Sequence, residues 1–250
     1  MKAQERTVFY ENSEIRYLLE RKQVKNLNLR IRKDCSVYVS VSPSVPVEKV
    51  DAFVTSKGSY IRSAQSKFQE LAQFAPKPKQ YVSGETFWIL GRGVRLKVEK
   101  AAEDTAFSDG VYLHLHVKDP DDFGRKQKIV TRYLDKQRKS VFGEIVSETY
   151  PVFQKYGVPM PTLRIRDMET RWGSCSAKKG IITLSKSLFE APRNCIEYVV
   201  MHEFCHFIHP NHSKSFYNFL SMQMPDWKER KTTLNRSAVF LAVIPRMRVR

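Results

Sequence analysis

The sequence is short of the features that mark a secreted, disulfide-built or membrane-embedded chain. It holds four cysteines, Cys35, Cys175, Cys195 and Cys205, with no C-x-x-C pair among them. A disulfide framework is therefore not expected, and the cysteines read as free thiols in a reduced compartment. The opening stretch, MKAQERTVFYENSEIRYLLERK, has no apolar core of signal-peptide type, so a cytoplasmic location is predicted. No apolar run approaches the length of a membrane span, and no membrane partner is expected. No internal repeat, low-complexity segment or long block of lysine and arginine appears. Acidic residues are scarce, with 26 Asp plus Glu against 43 Lys plus Arg, a formal charge of +17. That imbalance suits contact with nucleic acid or a polyphosphate through a basic surface. The scattered placement of the charges suits a generally basic, soluble surface equally well.

What is present is an ordinary globular balance, 42% hydrophobic and 28% charged over 250 residues, enough for one large domain or two modest ones. The chemistry concentrates in residues 193–212, RNCIEYVVMHEFCHFIHPNH. His202-Glu203-Phe204-Cys205-His206 matches H-E-x-x-H. Residues four apart share a helix face, so His202 and His206 point their rings at one ion. Glu203, one step round, reaches a water on that ion and serves as general base. Zinc suits neutral imidazoles, and a catalytic site needs a third protein ligand and one open position. His212 is the candidate third ligand. His209 competes for that place, but it lies three residues after His206 and directly before Pro210, and the open-coordination geometry favours His212. Ile196, Val199, Val200, Phe204 and Phe207 supply an apolar stripe at helical spacing. Pro192 and Asn194 suit the helix start, and Pro210 stops it. Cys205, between the histidines, is turned toward packing rather than metal.

Elsewhere the pattern is mixed. Alternation from Val24 to Ser42 reads as a β-hairpin with Arg30 and Arg32 on its exposed side. Pro46 opens a helical stretch over 47–74, with Val50, Phe53, Val54, Ile61, Phe68 and Leu71 as core positions and Gly58 marking a break into two helices. A second hairpin is predicted over 85–100 around Gly91-Arg92-Gly93, and a strand over 111–117, whose His114 and His116 read as an exposed polar face. Asp119-Pro120-Asp121-Asp122 is the candidate boundary between an accessory region, 1–122, and a second domain, 123–250. A long helix follows over 123–156, ended by Gly157 and Pro159. Short strands are expected at 163–166, 169–176 and 181–185, then the motif helix, a helix over 213–222, and one capped by Asp226 through Leu234. The tail over 239–244 reads as a last strand.

Arg171-Trp172-Gly173-Ser174-Cys175-Ser176, followed by HEFCH and Pro-Asn-His-Ser, resembles the YgjP-like metallopeptidases, relatives of the SprT-like and WLM-type zinc proteases. The likeness is most specific over 164–234. It implies an α+β chain with a zincin-like domain, a small sheet beside two metal-holding helices, preceded by a β-hairpin and helix accessory domain that presents substrate. The family's H-E-x-x-H falls on His202, Glu203 and His206, and its third histidine on His212. His209 stands where a metzincin carries glycine, which separates this chain from that group. The RWGSC run is expected on the substrate-facing edge, where an extended peptide adds as a strand. Arg171, Tyr217 and His209 are candidates for substrate or transition-state contact, Trp172 for the core, and Tyr198, four residues before His202, for a contact behind the metal.

The expectation is a zinc-dependent hydrolase with one Zn2+ per chain, acting on protein or peptide with Glu203 as base. Two other readings remain open at the level of sequence: a metal-dependent phosphohydrolase or nucleotide pyrophosphatase, and a nucleic-acid-binding module with a vestigial metal site.

Overall fold

The computed structural model describes residues 3–32, 34–72, 78–168 and 171–240. The described residues form two compact units, one within 3–72 and one within 78–240. The chain is a mixed α+β protein, as expected.

The first unit opens with β1 (Gln4–Tyr10) and β2 (Ser13–Arg21), an antiparallel pair. Glu11 and Asn12, with φ of 46° and 58°, form the two-residue turn that matches strand twist. Sequence reading passed over this hairpin because its turn carries no glycine and its alternation is broken by Glu and Arg. β3 (Asn28–Ile31) and β4 (Val37–Val41) form the expected hairpin, Leu29 opposite Val39 and Ile31 opposite Val37. The sheet runs β1-β2-β4-β3, with β2 and β4 parallel. Arg30 and Arg32 do lie outward, and the Arg32 guanidinium sits 3.6 Å over the Tyr38 ring.

The helical stretch divides as the glycine suggested, into α1 (Val47–Ser56) and α2 (Gly58–Ala72). Gly58 is required by packing: a β-carbon there would fall 2.1 Å from the Tyr10 ring. Val50, Val54 and Ile61 are fully buried against Ile15, Tyr17 and Val39, while Phe53 and Phe68 border that core. The side chain of Leu71 lies outside the described residues.

The second unit starts with β5 (Thr86–Ile89), β6 (Arg92–Lys100), β7 (Thr105–Ser108) and β8 (Tyr112–Val117). Their order is β5-β6-β8-β7, with an antiparallel first pair, a parallel middle pair and an antiparallel last pair. Order and sense repeat those of the first sheet. The sequence shows no repeat because two different residue sets satisfy the same alternation. His114 and His116 share the outer face, where Asp109 lies 2.9 Å from His114 and Glu99 lies 3.4 Å from His116, and Phe107 stacks on His114.

α3 (Phe123–Gln154) buries Ile129, Val130 and Leu134 in the core shared with Leu113 and Leu115 of this sheet. The carboxylate of Asp122 accepts from the Arg125 backbone N–H and caps the helix. The expected boundary at 122 thus falls inside the second unit, because α3 supplies the apolar face that β5–β8 need. The break between units comes instead between residues 72 and 78.

After α3, which ends before Gly157, come β9 (Thr162–Arg166), β10 (Gly173–Ser176) and β11 (Ile181–Ser185). The sheet order is β10-β11-β9, with β11 parallel to β9 and antiparallel to β10. β10 is shorter than expected; Arg171 and Trp172 precede it as irregular chain, and residues 169–170 lie outside the described set. Three helices complete the unit: α4 (Arg193–Ile208), α5 (Lys214–Gln223) and α6 (Trp227–Phe240). The Asp226 carboxylate binds the Arg230 side chain at 2.8 Å, so it joins an ion pair one turn on. α6 runs past Leu234 and takes in residues 239 and 240, which were expected in a strand; 241–250 lie outside the described residues. Among the described residues no helix is long and apolar enough to cross a membrane.

Candidate metal centre

α4 is buried on several sides, with Ile196, Val200, Phe204 and Cys205 fully enclosed. Phe204 stacks on Phe153 of α3 at 4.8 Å between centroids. This clamp leaves His202 and His206 half-buried on one helix face, with Tyr198, one turn before His202, buried at the margin of the core. Pro192 starts the helix and His209 ends it, with the His209 N–H bonded to the Cys205 carbonyl. Pro210 lacks an N–H and the chain turns. Ser213 then caps α5, its hydroxyl accepting from the Phe216 N–H. The turn brings His212 back over the two helix histidines.

The three rings converge. His202, His206 and His212 each offer a ring nitrogen within 4.8 Å of the others. The Nε2 atoms of His202 and His212 are 2.9 Å apart. His206 Nδ1 lies 3.2 Å from the His209 carbonyl, which only accepts, so Nδ1 carries the proton and Nε2 keeps its lone pair. Burial pushes His202 down to about 3, with the charges of His206 and His212 adding to it. Burial also lowers His206, against the two carbonyls of His209 and Pro210 that raise it. Neutral imidazoles with converging lone pairs are what a divalent ion of borderline softness takes. His202 Nδ1 is buried without a hydrogen-bond partner. The donor set fits a single zinc-like ion.

Glu203 is buried beside the trio. Burial pushes its carboxyl up to about 8, opposed by the Arg171 charge and by a hydrogen bond from the Cys175 backbone. The Arg171 charge thus acts on this carboxylate, although the residue is exposed. Trp172 is half-buried in the core, and its carbonyl accepts from the Ser185 N–H. Cys205 is fully buried, its thiol pushed up to about 12, and packs as expected.

The remaining candidates divide. Tyr217 stacks on His212 at 6.1 Å and on Trp227 at 5.4 Å. Tyr198 meets the His202 ring edge-on at 5.9 Å and stacks on Trp227 at 6.4 Å, so it supports His202 by packing rather than by a hydrogen bond. His209 turns its ring against Phe219, 5.5 Å away, and contributes its carbonyl to His206. It is not among the three converging histidines.

Sequence reasoning gave no individual role to three residues, although Gly173 belongs to the RWGSC motif and Phe216 follows the His212-Ser213 pair. Phe216 is fully buried with its centroid 4.8–4.9 Å from all three histidine rings. Trp227 lies between Tyr198 and Tyr217 and donates to Ser221. Gly173 lies against Glu203 and Val199. Phe216 was within reach of the pattern, since it follows the Ser213 cap by three residues and so points back along the helix toward His212. The RWGSC motif placed Gly173 near the cleft without revealing its contact with Glu203, and nothing local pointed to Trp227.

Residues 25–237 match the family model described as YgjP-like, metallopeptidase domain. Among solved structures the chain is similar to the metallopeptidase zymogen jannalysin of Methanocaldococcus jannaschii, at 22% identity over 38% of this chain and 95% of that one, with a TM-score of 0.33. It is similar also to the zymogen abylysin of Pyrococcus abyssi, at 20% identity over 42% and 98%, with a TM-score of 0.35. A search of curated proteins finds no match.

Proposed function

The chain belongs to the YgjP-like metallopeptidase-domain family, and from that premise we propose that it is a zinc-dependent peptidase whose ion is held by His202, His206 and His212 and whose general base is Glu203. The observation that carries the reading is the convergence of three histidine rings beside one enclosed carboxylate. Zinc bound there supplies Lewis acidity, which makes water a better nucleophile at neutral pH and polarises a peptide carbonyl.

The protein's own groups do the rest. Glu203, held by the Cys175 N–H, takes a proton from the attacking water and delivers it to the leaving amine. Arg171 favours the ionised form of that carboxylate, as does a dication in the adjoining site. The His209 carbonyl fixes the His206 ring so that Nε2 faces the ion. Phe216 holds the spacing of the three rings. β10 forms an edge of its sheet next to Glu203, which suits an extended peptide adding as a further strand. Tyr217, beside His212, and Arg171 are donor candidates for the oxyanion. The zincin-like arrangement is the corresponding fold reading, with the first unit as an accessory body.

The test pairs metal content with product analysis. Wild type purified without added metal should carry near-stoichiometric zinc and cleave unstructured protein substrates such as casein. Glu203→Gln should keep the zinc and lose cleavage by ~10³-fold or more. Absence of zinc uptake, or release of phosphate from nucleoside triphosphates with no peptide cleavage, would overturn the reading.

A further inference from the structure

α3 carries a charge pattern that the metal centre does not use. At 100° per residue, Lys128, Arg132, Lys136 and Lys139 fall within about 80° of one helix face. All four side chains are exposed. The carboxylates of the same helix are paired with other cations, Asp135 among them although it borders this arc beside Lys128 and Arg132. Asp135 binds Arg138 at 2.8 Å and Lys186 at 3.1 Å, while Glu144 and Glu148 both bind Arg193. Among the described residues no ion pair involves any of the four cations. Arg125 lies on the same arc but is paired with Asp104.

We propose that this face of α3 is a docking surface for the phosphate backbone of double-stranded nucleic acid. From residue 128 to 139 the helix rises about 16 Å. One strand of a duplex presents a charge every ~3.4 Å of axis, so the stripe spans about five phosphates with four cations. A rigid helix holds those cations at fixed spacing, which suits a regular backbone. No aromatic side chain between residues 125 and 143 falls on the arc, so the face lacks the stacking platform of a single-strand binder. It also lacks the apolar flank of a membrane-surface helix, since Ile129, Val130 and Leu134 are buried in the core. The overall charge of +17 adds a sequence-independent attraction on which the stripe acts locally.

The experiment uses the full chain and a fluorescent 20-base-pair DNA duplex, titrated at several salt concentrations from 50 to 200 mM. Four phosphate contacts predict that log affinity falls with log salt at a slope of about −3.6. Changing Lys128, Arg132, Lys136 and Lys139 together to Gln should weaken binding at least ~10-fold and remove most of that slope. The control changes Lys25, Lys49, Lys100 and Lys155 to Gln, which lowers net charge equally, and should stay within ~3-fold of wild type. Arg132→Gln and Lys136→Gln made singly should each reduce the slope by about 1, so the proposal does not depend on the quadruple variant folding. Three outcomes would overturn it: no binding by wild type at 50 mM salt, equal losses in the two quadruple variants, or a loss confined to phosphatidylserine vesicles with DNA binding unchanged. The readout is binding alone, so it is independent of whether the chain cleaves peptides.

Discussion

Gly173 lies directly against Glu203: a β-carbon on the glycine would come 2.8 Å from Glu203 Oε1 and 2.9 Å from its Cγ, with Val199 Cγ1 at 3.0 Å. The first residue of β10 therefore has no side chain because the Glu203 carboxylate occupies that space. Gly173→Ala should push the carboxylate out of position while leaving the histidines in place. We expect ~1–3 kcal/mol of lost stability and a larger fractional loss of hydrolytic activity than of bound zinc. Thermal melting, metal content and turnover measured on one preparation check this; unchanged turnover would refute it.

The two candidates for third ligand are separated by side-chain substitution. His209 serves His206 through its backbone carbonyl, which survives a change of side chain. His209→Ala should therefore keep its zinc, losing only the ring contact with Phe219. His212→Ala should lose most of it. Mass spectrometry of the metal in both variants decides between them, and the reverse result would move the third ligand to 209.

Phe216 packs against the three proposed ligands at once, and its ring is fully buried. Phe216→Ala should cost ~3–5 kcal/mol of stability. Removing the common support of the three rings should also weaken zinc affinity ~10–100-fold, as loss of contacts behind metal ligands does. Competition with a chelator of known affinity measures the second effect; unaltered affinity in a destabilised protein would show that the ring only fills space.

The first unit carries a pH-dependent tie. Asp51 of α1 accepts from Tyr17 Oη at 2.6 Å and from Arg6 Nη2 at 2.8 Å. The hydrogen bond from Arg6, above all, holds the carboxyl below its ordinary value. A carboxyl depressed in the folded state contributes stability above its unfolded pKa, about 3.9. That contribution is lost as pH falls through the folded value. Wild type should therefore exceed Asp51→Asn by about 1 kcal/mol at pH 6, and the difference should shrink as pH drops below about 4. Urea titrations of both proteins at pH 6 and pH 3 measure it; a difference that does not change with pH would exclude the ionic contribution.

Local signals proved sufficient where one element carried them. The helix with His202 and His206 on one face, the stop at Pro210 and the return of His212 all follow from periodicity, a missing N–H and a serine cap. The division of α1 from α2 at Gly58 was legible for the same reason, although its cause, the Tyr10 ring, was not. The β1–β2 hairpin escaped because Glu11 and Asn12 adopt positive φ without a glycine to announce it. The boundary between units was misplaced because Asp119 to Asp122 has the composition of a linker and is used as a helix cap.

By itself the sequence determined the three-histidine pattern, the carboxylate next to it and most of the helices, since each depends on residues within about one or two turns of one another. Only the tertiary structure decided that Gly173 meets Glu203, that Phe216 lies among the three histidines, that two unlike sequences build sheets of the same strand order, and that β5–β8 belong with α3. These are contacts between surfaces far apart in the chain. Which apolar face covers which is settled by shape and burial over the whole core, and no local spacing records it.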